Sequence, residues 1–199
     1  MRRPRFLVPC VAVLALAAVA QAQVQTYVFE LDPQKSQVTF TLGSTLHTVH
    51  GSFQLKSGSI RFDAAGGTAS GLLVADATSG ESGNQGRDHK MHKEILESDK
   101  YPEITFAPQH IAGQVPQEGK AQVTIAGVLT LHGVPHEISI PVPVEVHGGH
   151  AVADLNFTVP YVQWGLKNPS TFMLRVNDRV AIEVHAVGRI APSARGDQR

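Results

Sequence analysis

The chain of 199 residues carries 17 basic and 17 acidic side chains, a formal net charge of zero, 42% hydrophobic residues, one cysteine and ten histidines. Charged residues amount to only 17% and no basic block of five or six occurs, so the electrostatic footprint of a nucleic-acid binder is missing. The apolar content is too high for a disordered chain, yet no uninterrupted apolar run reaches the roughly 18 residues of a membrane-spanning helix.

The first 22 residues read as an export signal. Arg2, Arg3 and Arg5 form a positive start, Leu7 to Ala20 a short apolar stretch, and Ala20-Gln21-Ala22 the small residues that signal peptidase accepts. At 1.5 Å per residue, about 14 apolar residues cover roughly 21 Å of a hydrocarbon core of about 30 Å, too little for an anchor. Cleavage after Ala22 leaves 177 residues with 14 basic and 17 acidic side chains, a formal charge of −3 and no cysteine. A periplasmic or secreted chain without disulfides must rest on its own core, which this length can supply.

Period-two alternation dominates the remainder of the chain. Val38, Phe40 and Leu42 share one strand face; Phe53 and Leu55 continue after Gly51, and Ile60 with Phe62 come after an expected turn at Ser57-Gly58. Gly80 to Gly86 reads as a loop. One short helix is expected from about Arg87 to Leu96, with Met91 and Ile95 on one face and Pro102 forbidding much continuation. Val123, Ile125, Leu129 and Leu131 alternate up to His132-Gly133-Val134-Pro135. Ile138, Ile140, Val142, Val144 and Val146 then alternate up to His147-Gly148-Gly149-His150, a two-residue hairpin signal. Leu155 and Phe157 return, and the last strand carries Val180, Ile182, Val184 and Ala186 on one face. Short strands and turns fit a single all-β unit, sandwich or barrel. Pro141 and Pro143 lie two apart, so their missing N–H groups face the same neighbour, and an edge, bulge or gap is expected on that side.

No nucleophile elbow, phosphate-binding glycine loop or nucleotide fingerprint is present, and no enzyme is expected. Eight histidines fall in close pairs: His47/His50, His89/His92, His132/His136 and His147/His150. Metal binding is weighed against solvated side chains. Structural zinc takes four ligands and catalytic zinc three, and no zincin-type spacing supplies them. No metal or cofactor is expected, although a histidine-dependent metal-binding or redox-linked envelope stress protein stays as the alternative. The phenylalanines on the alternating strands fit either a packed core or the wall of a chamber for one small ligand.

Three motifs then occur in order: Ser36 to Phe40 followed by His50-Gly51-Ser52-Phe53; Arg87 to His92 followed by Lys100-Tyr101-Pro102-Glu103-Ile104-Thr105-Phe106; and Ala126 to Pro135. They resemble the YceI-like family, periplasmic proteins with a lipocalin-like barrel associated with polyisoprenoid lipids. Ser44 stands where that family usually carries a histidine, and the Trp164 to Ser170 segment suggests a family branch of its own.

The resemblance implies an all-β fold, an antiparallel eight-stranded lipocalin-like barrel with one short helix, over residues 23–191, between the signal peptide (1–22) and a flexible tail (192–199). It implies an exported, non-catalytic protein that sequesters or carries an isoprenoid-type or other long-chain apolar ligand. Phe40, Leu42, Phe53, Phe62, Phe106, Leu129, Leu131, Phe157 and Trp164 would line the interior. At about 0.8 kcal/mol per buried CH₂, about ten carbons would offset the several kcal/mol lost on association. Arg87, His89, Lys90 and His92 at the helix start would receive a head group; alternatively, Arg87 and Asp88 only cap and brace the helix. The partner is thus an amphiphilic lipid, with no nucleic acid and no transmembrane segment after cleavage; homodimerisation stays open.

Overall fold

The computed structural model describes residues 25–193. The expected signal peptide lies outside the described residues, as do residues 194–199. The described residues form β1 (Thr26–Leu31), β2 (Gln37–Gly43), β3 (Thr48–Asp63), β4 (Gly67–Glu81), α1 (Gln85–Lys90), β5 (Glu103–Ala112), β6 (Gly119–Leu131), β7 (Val134–His147), β8 (His150–Val159) and β9 (Val180–Pro192).

Nine strands fill eight positions of a closed antiparallel barrel. Both β1 and β2 lie between β3 and β9. β1 pairs with Ser59–Asp63 and Gly188–Pro192, whereas β2 pairs with Thr48–Phe53 and Ala181–His185. They are two halves of one stave, interrupted at Asp32–Ser36, where the Ser36 hydroxyl donates to the Asp32 carbonyl and accepts from the Val187 N–H. The last strand runs one residue past the expected domain end, and the Ser193 N–H still donates to the Thr26 carbonyl.

Alternation carries the core as the pattern predicts. Val123, Ile125, Leu129 and Leu131 of β6, Ile138 to Val146 at every second position of β7, and Leu155 and Phe157 of β8 all face inward. The two hairpins form where the glycines allow: Gly148 and Gly149 take φ of 56° and 75°, as a primed two-residue turn requires. His132, at φ 55°, fills the equivalent position between β6 and β7 without being glycine. Its ring packs 4.3 Å from that of Tyr101 and its Nε2 lies 3.3 Å from Glu97, contacts that help offset the strained backbone.

The Ser57-Gly58 turn is not formed. β3 continues through it, and a register shift against β4 falls between Leu55 and Ser57. One extra residue there is a β-bulge, which inverts the parity of the strand: Phe53 and Leu55 face inward before it, Ile60 and Phe62 after it. Gly58 is needed for close packing, since a Cβ would lie 2.3 Å from Leu73. The loop expected from Gly80 begins later, because Gly80 and Glu81 still belong to β4. The helix begins at Gln85, two residues before the expected start, with the Asn84 side chain accepting from the Arg87 N–H as N-cap. It runs on as a π-helical turn over Met91–Ile95.

The paired prolines open a seam. β7 is laddered to β6 without a break from Val134 to Val146, but to β8 only from Val144 to His147. Pro141 and Pro143 therefore leave the β8 side unpaired, and the 160–166 turn packs Trp164 and Leu166 beside it.

Candidate functional site

Antiparallel order sends every second connection to the same end of the barrel. One end carries the connections 64–66, 113–118 and 148–149; the other carries 44–47, the helix-bearing 82–102, 132–133 and 160–179. At the first end Tyr27, Ile60, Phe62, Ile111, Val123, Ile140 and Val142 form a continuous buried cluster, with Val115 of the 113–118 connection packed against it. That end is a floor. The second end is open.

Between floor and opening lies a cavity of about 710 Å³, inside the range of roughly 300–1,000 Å³ usual for small-molecule sites. Phe40, Leu42, Phe53, Phe62, Phe106, Leu129, Leu131 and Phe157 all line it. The Phe40 and Phe53 rings stand 5.5 Å apart across β2 and β3. Phe40 lies over Gly51, where a Cβ would meet its ring and the Glu81 carbonyl oxygen, each at 2.3 Å. That close approach explains the glycine two residues before Phe53.

Polar lining gathers at the open end. Ser44 and His47 come from the β2–β3 connection, Ser82 and Asn84 from the segment entering α1, Arg87 and Lys90 from α1 itself, and Thr171 from the 160–179 connection. Met91 and Ile95, on the helical face expected from their spacing, close part of the opening from above. Tyr161 also lines it; its hydroxyl donates to the Asn177 carbonyl at 2.6 Å, and burial, with Asp178 nearby, pushes its pKa up to about 12. The phenol is therefore neutral, as an apolar chamber requires.

Not every expected site residue reaches this space. Trp164 stacks instead on His136 of β7, ring centroids 3.9 Å apart and nearly parallel, outside the lining. His92 commits both ring nitrogens, Nδ1 to the Ser98 hydroxyl at 2.9 Å and Nε2 to the Gly80 carbonyl at 2.8 Å, and so ties the helical segment to β4. His89 lies outside the lining as well. Arg87 borders the cavity, but its Nε donates to the Ser82 hydroxyl at 2.7 Å and its terminal nitrogen to the Ser82 carbonyl at 2.6 Å. Ser82 in turn donates to Asp88. This triangle braces the entry to α1, while Lys90 has no ion-pair partner among the described residues.

Ser82, Asn84, Tyr161 and Thr171 are invisible to strand periodicity because they sit in connections. The signal available is topological: they adjoin strand ends that an antiparallel barrel must place together. The histidine pairs disperse into separate contacts. His50 bonds Thr41, His132 meets Glu97, and His147 meets Glu118 across from its hairpin partner His150. Among the described residues no three His, Cys, Asp or Glu side chains gather as a metal would require.

Comparison with known proteins completes the assignment. A family model described as YceI-like domain matches residues 29–188. A UPF0312 protein of Pseudomonas savastanoi pv. phaseolicola is 33% identical over 129 residues, 63% of this chain and 65% of that protein. Another, from Vibrio parahaemolyticus, is 29% identical over 130 residues, 64% and 67% of the two chains. The chain thus spans just under two thirds of the Pseudomonas relative's length. Among solved structures, Burkholderia cenocepacia BcnA superposes with a TM-score of 0.65 at 21% identity, covering 79% of this chain and 98% of that one. A polyisoprenoid binding domain from Saccharophagus degradans, implicated in plant cell wall breakdown, gives 0.62 at 16%, covering 85% and 100%. At these identities the likeness is one of fold. The family match, in contrast, runs from β1 to β9, and the chain belongs to the YceI-like domain family.

Proposed function

We propose that the protein is exported, is not a catalyst, and holds one long-chain apolar molecule, of isoprenoid type, inside its barrel. The observation that carries this reading is the distribution of polarity: a deep apolar chamber closed at one end, with its polar side chains collected around the other. An amphiphile would enter tail first. Its tail would replace water along the phenylalanines, gaining about 0.8 kcal/mol per CH₂, and its head would stay among Ser44, His47, Asn84 and Lys90. The Saccharophagus neighbour's description as a polyisoprenoid binding domain supports the isoprenoid class.

The non-catalytic reading is supported by the same residues. No carboxylate lines the cavity among the described residues, and Asp88, the acid nearest the opening on α1, is engaged by Ser82. A histidine therefore has no acid partner there with which to form a nucleophile–base–orienter array. Solvent extraction of the purified protein followed by mass spectrometry tests the proposal: one long-chain apolar species per protein is expected. Recovery of none, with no uptake of added polyprenol, would contradict it.

A further inference from the structure

The large apolar side chains most exposed among the described residues cluster at the cavity's open end. Phe172 is 97% exposed, Met173 85% and Leu46 73%. They sit on two connections that are tied to each other. The Thr45 N–H donates to the Arg175 carbonyl at 2.9 Å, the Arg175 N–H returns to the Thr45 hydroxyl at 3.3 Å, and Ser44 bridges to Val176. Phe172 and Met173 occupy the tip of a tight turn: Thr171 N–H bonds the Leu174 carbonyl at 2.8 Å, and Leu174 N–H the Thr171 hydroxyl at 3.1 Å. Thr171 and Leu174, the flanking residues, line the cavity. The apolar wall of the chamber thus continues outward, across two residues, into solvent.

The connections that carry the tip are net positive. Residues 44–47 and 160–179 contain Lys167, Arg175 and Arg179, all exposed, and a single acid, Asp178. None of the three cations forms an ion pair among the described residues. The helix-bearing connection beside them is balanced, with Lys93 paired to Asp99 and Lys100 4.0 Å from Glu97. An apolar tip in a connection whose exposed cations outnumber its acid complements a layer whose surface is anionic and whose interior is apolar.

We propose that this end of the barrel docks on an anionic lipid bilayer, with Phe172, Met173 and Leu46 entering the acyl boundary and Lys167, Arg175 and Arg179 at the level of the head groups. The surface does not suit a second copy of the chain, because pairing would bring like charges together. Docking rests on the exposed loops alone. Its use, to pass an apolar chain between bilayer and cavity without crossing water, rests on the function proposed above.

Flotation with vesicles tests it. The protein is expected to float with phosphatidylcholine vesicles containing phosphatidylglycerol and far less with phosphatidylcholine alone, by about fivefold for each cation engaged. The double variant F172S/M173S should bind the anionic vesicles about tenfold or more weakly. K167S/R175S should abolish most of the preference for the anionic lipid. Both variants should melt like the parent, because these side chains are exposed, and should still bind an apolar fluorescent probe in the cavity. Absence of binding to anionic vesicles, or equal binding by F172S/M173S, would overturn the proposal. So would a parent that self-associates through this tip in sedimentation without binding vesicles. Vesicle binding without probe uptake would contradict the function proposed above and leave the docking surface standing.

Discussion

His136 is a base held in the wrong company for a charge. Its ring lies flat against Trp164, its Nε2 is buried without a hydrogen-bond partner, and burial lowers its pKa below the ordinary 6.5. A histidine whose folded pKa is depressed binds fewer protons than its unfolded counterpart at mildly acid pH. Stability is therefore fully present above about 6.5 and is lost as the pH falls from there toward the depressed folded value. His136→Phe keeps the aromatic stack and removes the titration. Melting temperatures measured from pH 7.5 to 5 should show a steeper fall for the parent than for the variant; parallel curves would show that the stack does not resist protonation. The residue also anchors the 160–179 connection, since Trp164 is its stacking partner. The resemblance implies that Trp164 belongs to the ligand wall. Which face of the barrel it meets depends on a contact with a residue in a different strand, which no local pattern encodes.

At the scale of elements, the strands that alternate cleanly are legible and those that do not are not. β6, β7 and β9 follow from a strict period of two, because large aliphatic side chains on one face leave one way to pack. The pairing deficit of Pro141 and Pro143 follows from their lack of N–H, and the β7–β8 seam lies where it predicts. β3 reads as two strands because the bulge at Lys56 inverts the inward parity, and Gly58, required by the Leu73 side chain, looks like a turn residue. β4 turns Leu73 inward, but alanines and glycines hold most of its other positions on that side, so it carries little pattern. The seam has a measurable consequence. From Asp154 to Val159, β8 is laddered to β9 alone, so alternate amides point at a neighbour that does not accept from them. Hydrogen exchange should be faster at those amides, by about a hundredfold, than at the alternate ones bonded to β9. Uniform protection along β8 would mean that the seam is zipped in solution.

The whole molecule joins a packed floor to an open, polar-rimmed mouth, and that polarity follows from topology more than from any motif. An antiparallel barrel sends alternate connections to one end, and here those at the mouth hold the helix, Lys90 and the exposed Phe172 turn. The eight strand residues that the resemblance implies for the wall reach the cavity because a strand's inner face has no other destination. The three expected residues that miss it, Trp164, His89 and His92, lie in connections, where tertiary contacts decide. The central claim is that the chamber itself holds the apolar chain. Ala153 and Leu155 of β8 face into it, and Ala153→Phe with Leu155→Trp would fill its middle without touching the mouth. Titration of parent and variant with a fluorescent long-chain polyprenyl probe is the direct measurement. Saturable binding of one probe per protein by the parent, weakened about tenfold or more in a variant that melts no lower, is the predicted result. Equal affinities in the two proteins would place the chain outside the barrel and contradict the account.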